Sequence, residues 1–256
     1  MNTIEMLAEE AGHLKASFDS AMVGLGLTQY TLYALICLIL TIIVVMVAGK
    51  RLTLVPHNKF VNMVEYGYSM VRQQIGESAI GHGYERHIPF LATLFFFILI
   101  CNVVGLIPGA KAATGSLSVT WALAIISFVY FNYWGVKAHG GWGYIKSIAP
   151  SGLPKPLVPV IWFFEFISLC LRALTLAVRL YGNMFAGHMV LGIFALATSI
   201  FIQTALAGNF LMFLPPVGWM LLLIVMYALE CLVAFLQAYV FTTLSAVYIG
   251  LATGEH

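Results

Sequence analysis

Charge is what this sequence has least of. Only 9% of its 256 residues are Asp, Glu, Lys or Arg, against roughly 25% in soluble globular domains. With 61% hydrophobic residues and a mean hydropathy of +0.96, that scarcity excludes an ordinary water-soluble enzyme and a basic nucleic-acid-binding surface. The apolar runs are long enough for membrane-spanning helices rather than barrel strands. Cysteine is sparse too. Cys37, Cys101, Cys170 and Cys231 all fall inside apolar runs, and none is paired at a metal-site or redox spacing. Each reads as a small buried hydrophobe, and neither a metal nor a cofactor is expected. No GxxxxGK[ST] occurs, so nucleotide chemistry of the P-loop kind is absent. The opening residues lack a basic region followed by a short apolar one, so no cleaved signal peptide is expected. Internal repeats are not apparent.

What is present is a succession of apolar segments. Spans are expected at about 29–49, 88–107, 117–134, 159–202 and 211–250. The sequence divides into an outer N-terminal segment (1–28), one transmembrane helical domain (29–250) and a short tail (251–256). Between the first two spans, residues 56–80 are more polar, with Phe60, Val64, Met70 and Val71 at partial helical spacing, which predicts an interfacial helix. The last two segments are too long for upright spans: at 1.5 Å per residue each would extend ~60–65 Å, about twice the ~30 Å hydrocarbon core. Either each is two spans, or each is one slanted helix. Neither contains a charged or Pro-Gly hinge, so two long, tilted, antiparallel helices are expected. Gly182, Gly187 and Gly192 offer places for a bend or for close helix approach. The fold class is therefore all-α integral membrane, with about five spans and an interfacial helix.

With five spans, one side receives Lys50, Arg51, Lys59, Arg72, Arg86, Lys137, Lys146 and Lys155, and the other only Lys15 and Lys111. The positive-inside rule then puts the N-terminus outside and the C-terminus in the cytoplasm.

Two arginines interrupt the fourth span. Arg172 and Arg179 lie among apolar residues, with Glu165, Asn183 and His188 as the other strongly polar side chains. An arginine near the bilayer centre costs at least ~2.5–3.5 kcal/mol, and it stays protonated where lysine would not. Glu165, Arg172 and Arg179 are spaced by seven, a step that drifts only about 20° on a helix, so they form one stripe that Asn183 continues. In the last helix Glu230 and Gln237 repeat the seven-residue spacing. An antiparallel pair of helices would set His188 near Glu230 toward the outside and Arg179 near Gln237, with Glu165 toward the cytoplasm. A polar group on each side and a permanent cation between them suits two offset half-channels rather than a through pore. Other readings stay open for most of these groups. Arg172 can snorkel to the interface, Glu165 can pair with Arg172, and His188 with Glu230 can be a structural hydrogen bond. Asn102 reads as interhelical glue. An ion-coupled secondary transporter would also bury such groups, although the paired, interrupted halves expected of one are not seen.

The segment LAVRLYGNMFAGH (176–188) resembles the signature of subunit a of the rotary ATP synthase membrane sector, and the resemblance extends to PHNKFVNMVE (56–65), NVVGLIP (102–108) and LECLVAFLQAYVFTTLSAVYI (229–249). Phe185 stands where the family commonly has tyrosine, and Val61 where glutamine is frequent. The resemblance implies a proton-translocating stator subunit of the bacterial plasma membrane, not catalytic alone. Its implied partners are the c-ring, the peripheral-stalk b subunits, the rest of the ATP synthase and membrane lipid. It also implies residue roles. Arg179 would face the c-ring carboxylate, His188 and Glu230 would line the outer half-channel, and Glu165 the cytoplasmic one. Gln237 would lie near the arginine, with Asn183 and Arg172 in support.

Overall fold

A computed structural model describes residues 22–23, 27–50, 59–107, 110–147, 157–206 and 214–254. A two-residue antiparallel pair, β1 (Met22–Val23) and β2 (Leu27–Thr28), precedes the first helix. Apart from short turns, the rest of the described chain is helical. Among the described residues, five helices are long and apolar enough to cross a membrane: α1 (Gln29–Lys50), α3 (Ile88–Gly105), α4 (Leu117–His139), α6 (Val158–Leu206) and α7 (Leu214–Thr253). Between α1 and α3 runs α2 (Lys59–Met70), which widens into a π-helical stretch (Val71–Glu77) and finishes in one α turn (Ser78–Ile80). A short helix, α5 (Gly141–Ser147), follows α4.

Local chemistry sets these boundaries. Pro89 occupies the first turn of α3, where a missing N–H costs nothing. Lys137 and His139 occupy the last turn of α4, where cations suit the carbonyl end of the helix dipole. α4 continues past Trp134 to His139 and stops at Gly140, whose φ of 75° only glycine adopts freely. α2 is the expected interfacial helix. It buries Val61, Val64, Met70, Val71 and Ile75, whereas Phe60 is exposed. The start of that helix at residues 56–58 lies outside the described residues.

Each long segment is one continuous helix, of 49 residues in α6 and 40 in α7. At 1.5 Å per residue both exceed the ~30 Å hydrocarbon core, so neither fits it upright over its whole length. The most enclosed span is α3, with 56% of its apolar window buried against 17% for α1. Around it Leu91, Phe95 and Ile98 join Phe131 of α4, Leu176 and Leu180 of α6, and Phe241 and Ile249 of α7 in one cluster. Polar pairs pin the helices where no hydrophobic effect drives them together. The Ser127 and Ser245 hydroxyls meet at 2.9 Å between α4 and α7. Asn102 donates to the Ala234 carbonyl oxygen at 3.1 Å while accepting from Thr114 at 2.7 Å. This is the interhelical role expected of Asn102.

The cysteines depart from expectation. Cys37 and Cys101 are buried together, but Cys170 and Cys231 lie exposed. A membrane helix has no need to turn a thiol inward, because its outer face meets lipid or a partner subunit rather than water.

Candidate functional site

The site forms along the line where α6 meets α7. Near one end the Glu230 carboxylate lies so close to Gly187 that a Cβ there would overlap it. One turn further along, Met184 packs with Ala234 and Leu106, and the Tyr227 hydroxyl donates to the Leu106 carbonyl. Deeper, Ala177 and Leu180 join the cluster that holds Ala238 and Phe241. At the other end the Arg172 guanidinium lies 5.4 Å from the centre of the Tyr248 ring. These contacts define one antiparallel register, which sets Gln237 within about one turn of the level of Arg179.

The polar side chains divide by environment. Glu230 and Gln237 are buried, at 6% and 7% exposure. Among the described residues, Nε2 of His188 and Nε2 of Gln237 are buried without a hydrogen-bond partner. Burying a polar nitrogen unpaired costs on the order of 1–3 kcal/mol, and such orphans call for a functional reason. His188 and Glu230 share one turn of the α6–α7 contact but are not hydrogen-bonded: the carboxylate lies against Gly187 instead.

Arg179 differs from all of these. It projects from the exposed side of α6, near the middle of the helix. Among the described residues it makes no ion pair and no hydrogen bond. Exposed apolar side chains occur on both helices, Leu171, Val178 and Met189 on α6 and Leu229, Leu232 and Leu236 on α7, while the positions one turn from Arg179 are Thr175, Leu176, Gly182 and Asn183.

The residues of the stripe expected on α6 differ in exposure. Arg172 is half-buried toward Tyr248 of α7, Glu165 is half-buried, Asn183 is half-buried and Arg179 faces outward. No ion pair joins Glu165 to Arg172 among the described residues. Sequence reasoning missed Thr114 as an anchor of this assembly; Tyr227 was legible as a polar group one turn before Glu230, but its bond to Leu106 was not. Thr114 lies in a 3-10 turn (Ala113–Gly115) that tertiary packing alone sets against Asn102. Of the three glycines, Gly187 serves close approach, while Gly182 has open space beside it.

The family model described as ATP synthase A chain matches residues 31–250. The chain is 37% identical over 236 residues to an ATP synthase subunit a of Chloroherpeton thalassium, covering 90% of this chain and 68% of that one. It is 38% identical over 240 residues to an ATP synthase subunit a of a Nocardioides species, covering 91% and 84%. An ATP synthase subunit a of a Methylobacterium species is 36% identical over 225 residues, covering 88% and 86%.

Proposed function

The chain belongs to the ATP synthase A chain family, and from that premise we propose that it is the proton-translocating stator of the complex, with Arg179 separating two offset half-channels. The observation that carries this reading is Arg179, exposed and without an ion pair or hydrogen bond among the described residues, near the middle of a long and largely apolar helix. Left facing lipid, the guanidinium would be costly. Facing a carboxylate on a moving c-ring, it has an anion to stabilise.

The magnitudes are sufficient. A charge pair ~4 Å apart at an effective dielectric of ~20 is worth ~4 kcal/mol. That equals roughly three pKa units, enough to ionise a carboxyl group whose pKa lipid burial has raised. In this mechanism a ring carboxyl takes its proton from the outer half-channel, where His188 and Glu230 flank the Gly187 contact. It travels round the ring neutral and gives its proton up beside Arg179. The proton leaves on the Glu165 side, and Gln237 keeps the level of the arginine polar. Asn183 and Arg172 support the geometry, Arg172 by holding α6 to Tyr248 of α7. The membrane potential contributes ~2.3 kcal/mol per proton per 100 mV.

In this account the N-terminus lies outside and the C-terminus in the cytoplasm of a bacterial plasma membrane. The chain works with the c-ring and the peripheral-stalk b subunits, and ATP chemistry belongs to other subunits. The test is co-purification followed by flux. The chain should leave solubilised membranes together with a ring of small hairpin subunits, and the reconstituted assembly should carry protons. Proton-coupled transport by the chain without any ring would sink the proposal in favour of a secondary transporter.

A further inference from the structure

Away from the α6–α7 line, a second polar site opens at one end of the bundle. There the N-terminal end of α3 meets the C-terminal ends of α4 and α7 around a cavity of about 700 Å³. Its wall includes His82, Arg86, His87, Trp134 and Lys137, and among the described residues no carboxylate side chain lines it. Gly81 and Gly83, with φ of 75° and 78°, reverse the chain on either side of His82, a conformation that other residues adopt only with strain. That reversal sets the loop over the cavity. Arg86 and Lys137 approach from different elements and converge on one indole: the guanidinium is 5.3 Å and the ammonium 4.6 Å from the Trp134 ring centre. Two like charges gathered at one ring repel each other, and an anion within reach of both offsets that repulsion. The nearest acid in the sequence, Glu85, is engaged elsewhere, 3.1 Å from Arg72. Among the described residues, nothing in the wall neutralises the pair.

From this geometry we propose that the cavity binds the phosphate of an anionic lipid headgroup, with Arg86 and Lys137 as its ligands. Lipid is favoured over a free anion because the cavity opens at the ends of spanning helices, beside aromatic rings suited to the interface. Val129, Tyr133 and Val136 lie exposed on the adjoining face of α4, an apolar track for an acyl chain leading away from the basic pair. Basic pockets between spanning helices are the kind of site that takes such headgroups.

The test uses the purified complex containing this chain, reconstituted in vesicles that carry a photoreactive phosphatidylglycerol or a phosphatidylcholine of the same build. Labelled peptides are then mapped. The phosphatidylglycerol probe should mark the segments around Arg86 and Lys137 well above the phosphatidylcholine probe. Each basic group is worth about fivefold, so Arg86→Gln with Lys137→Gln should bring labelling down to the phosphatidylcholine level. Both side chains are exposed, so these replacements leave the core intact. Lys59→Gln, a change on α2 outside the cavity, should leave labelling unchanged. Equal marking by the two probes, or undiminished marking in the double variant, would overturn the proposal. Loss of the phosphatidylglycerol label on adding millimolar inorganic phosphate would assign the cavity to a free anion and overturn the lipid assignment.

Discussion

The carboxylate of Glu230 packs against the backbone of Gly187, one residue before His188. Only a residue without a side chain permits that approach, so α6 and α7 bring an acid and an imidazole into one turn without fusing them into a hydrogen-bonded pair.

Gly187→Ala should therefore damage function out of proportion to its size. The added methyl overlaps the Glu230 carboxylate, and overpacking of this kind costs ~1–3 kcal/mol. Proton pumping in membrane vesicles should fall sharply, and shortening the acid with Glu230→Asp in the same chain should restore part of it. Normal pumping by Gly187→Ala alone would contradict the contact.

Exchanging the pair tests whether His188 and Glu230 act together. The double variant His188→Glu with Glu230→His keeps one acid and one base on the two helices, whereas each single change leaves two of a kind. Proton flux in the double should exceed that of either single. If it is no better than the singles, the two residues are not coupled.

Asn102→Ala removes the bond to the Ala234 carbonyl and leaves the Thr114 hydroxyl without its acceptor. Interhelical hydrogen bonds in membranes average ~0.6 kcal/mol and reach ~1.7 kcal/mol. With two bonds lost, the detergent-solubilised chain should be about 1–2 kcal/mol less stable and should unfold at a lower denaturant concentration. An unchanged midpoint would remove Asn102 from the account of how α3 holds α7.

His87 provides a pH-dependent term outside the spans. It is 5% exposed, its Nδ1 lies 3.1 Å from the Tyr130 hydroxyl, and burial, helped by the neighbouring Arg86 charge, lowers its pKa below the ordinary histidine value. The unfolded chain then binds the proton more readily than the folded one. Stability from this group is present above pH ~6.5 and is lost as the pH falls below it. Thermal unfolding of the complex should therefore shift down on acidification less in His87→Gln than in wild type. Parallel shifts would show that His87 contributes nothing.

Much of this architecture was legible in the sequence, because span length and heptad spacing are local properties. The absence of any charged or Pro-Gly hinge in the last two segments predicted unbroken helices, and α6 and α7 are unbroken. The heptad spacing of Glu230 and Gln237, laid antiparallel to that of α6, brought Glu230 to the turn of His188. Relations that depend on packing were not legible. Arg172 and Arg179 share a stripe by spacing, yet Tyr248 draws the first toward α7 while the second stays exposed. The exposure of Cys170 and Cys231 was missed because apolar surroundings in a sequence do not distinguish a core from a lipid-facing or subunit-facing surface. The π-helical stretch Val71–Glu77 carries no composition signal; it accompanies the tight packing of Gly76 against Ile88.

The central claim rests on Arg179, and ATP-driven proton pumping by inverted membrane vesicles tests it most directly, comparing wild type with Arg179→Ala in a fully assembled complex. The account predicts that the variant loses pumping and gains a passive proton leak, because the charge that releases the ring proton also separates the half-channels. Undiminished pumping with tight membranes would make the arginine a structural residue and contradict the mechanism.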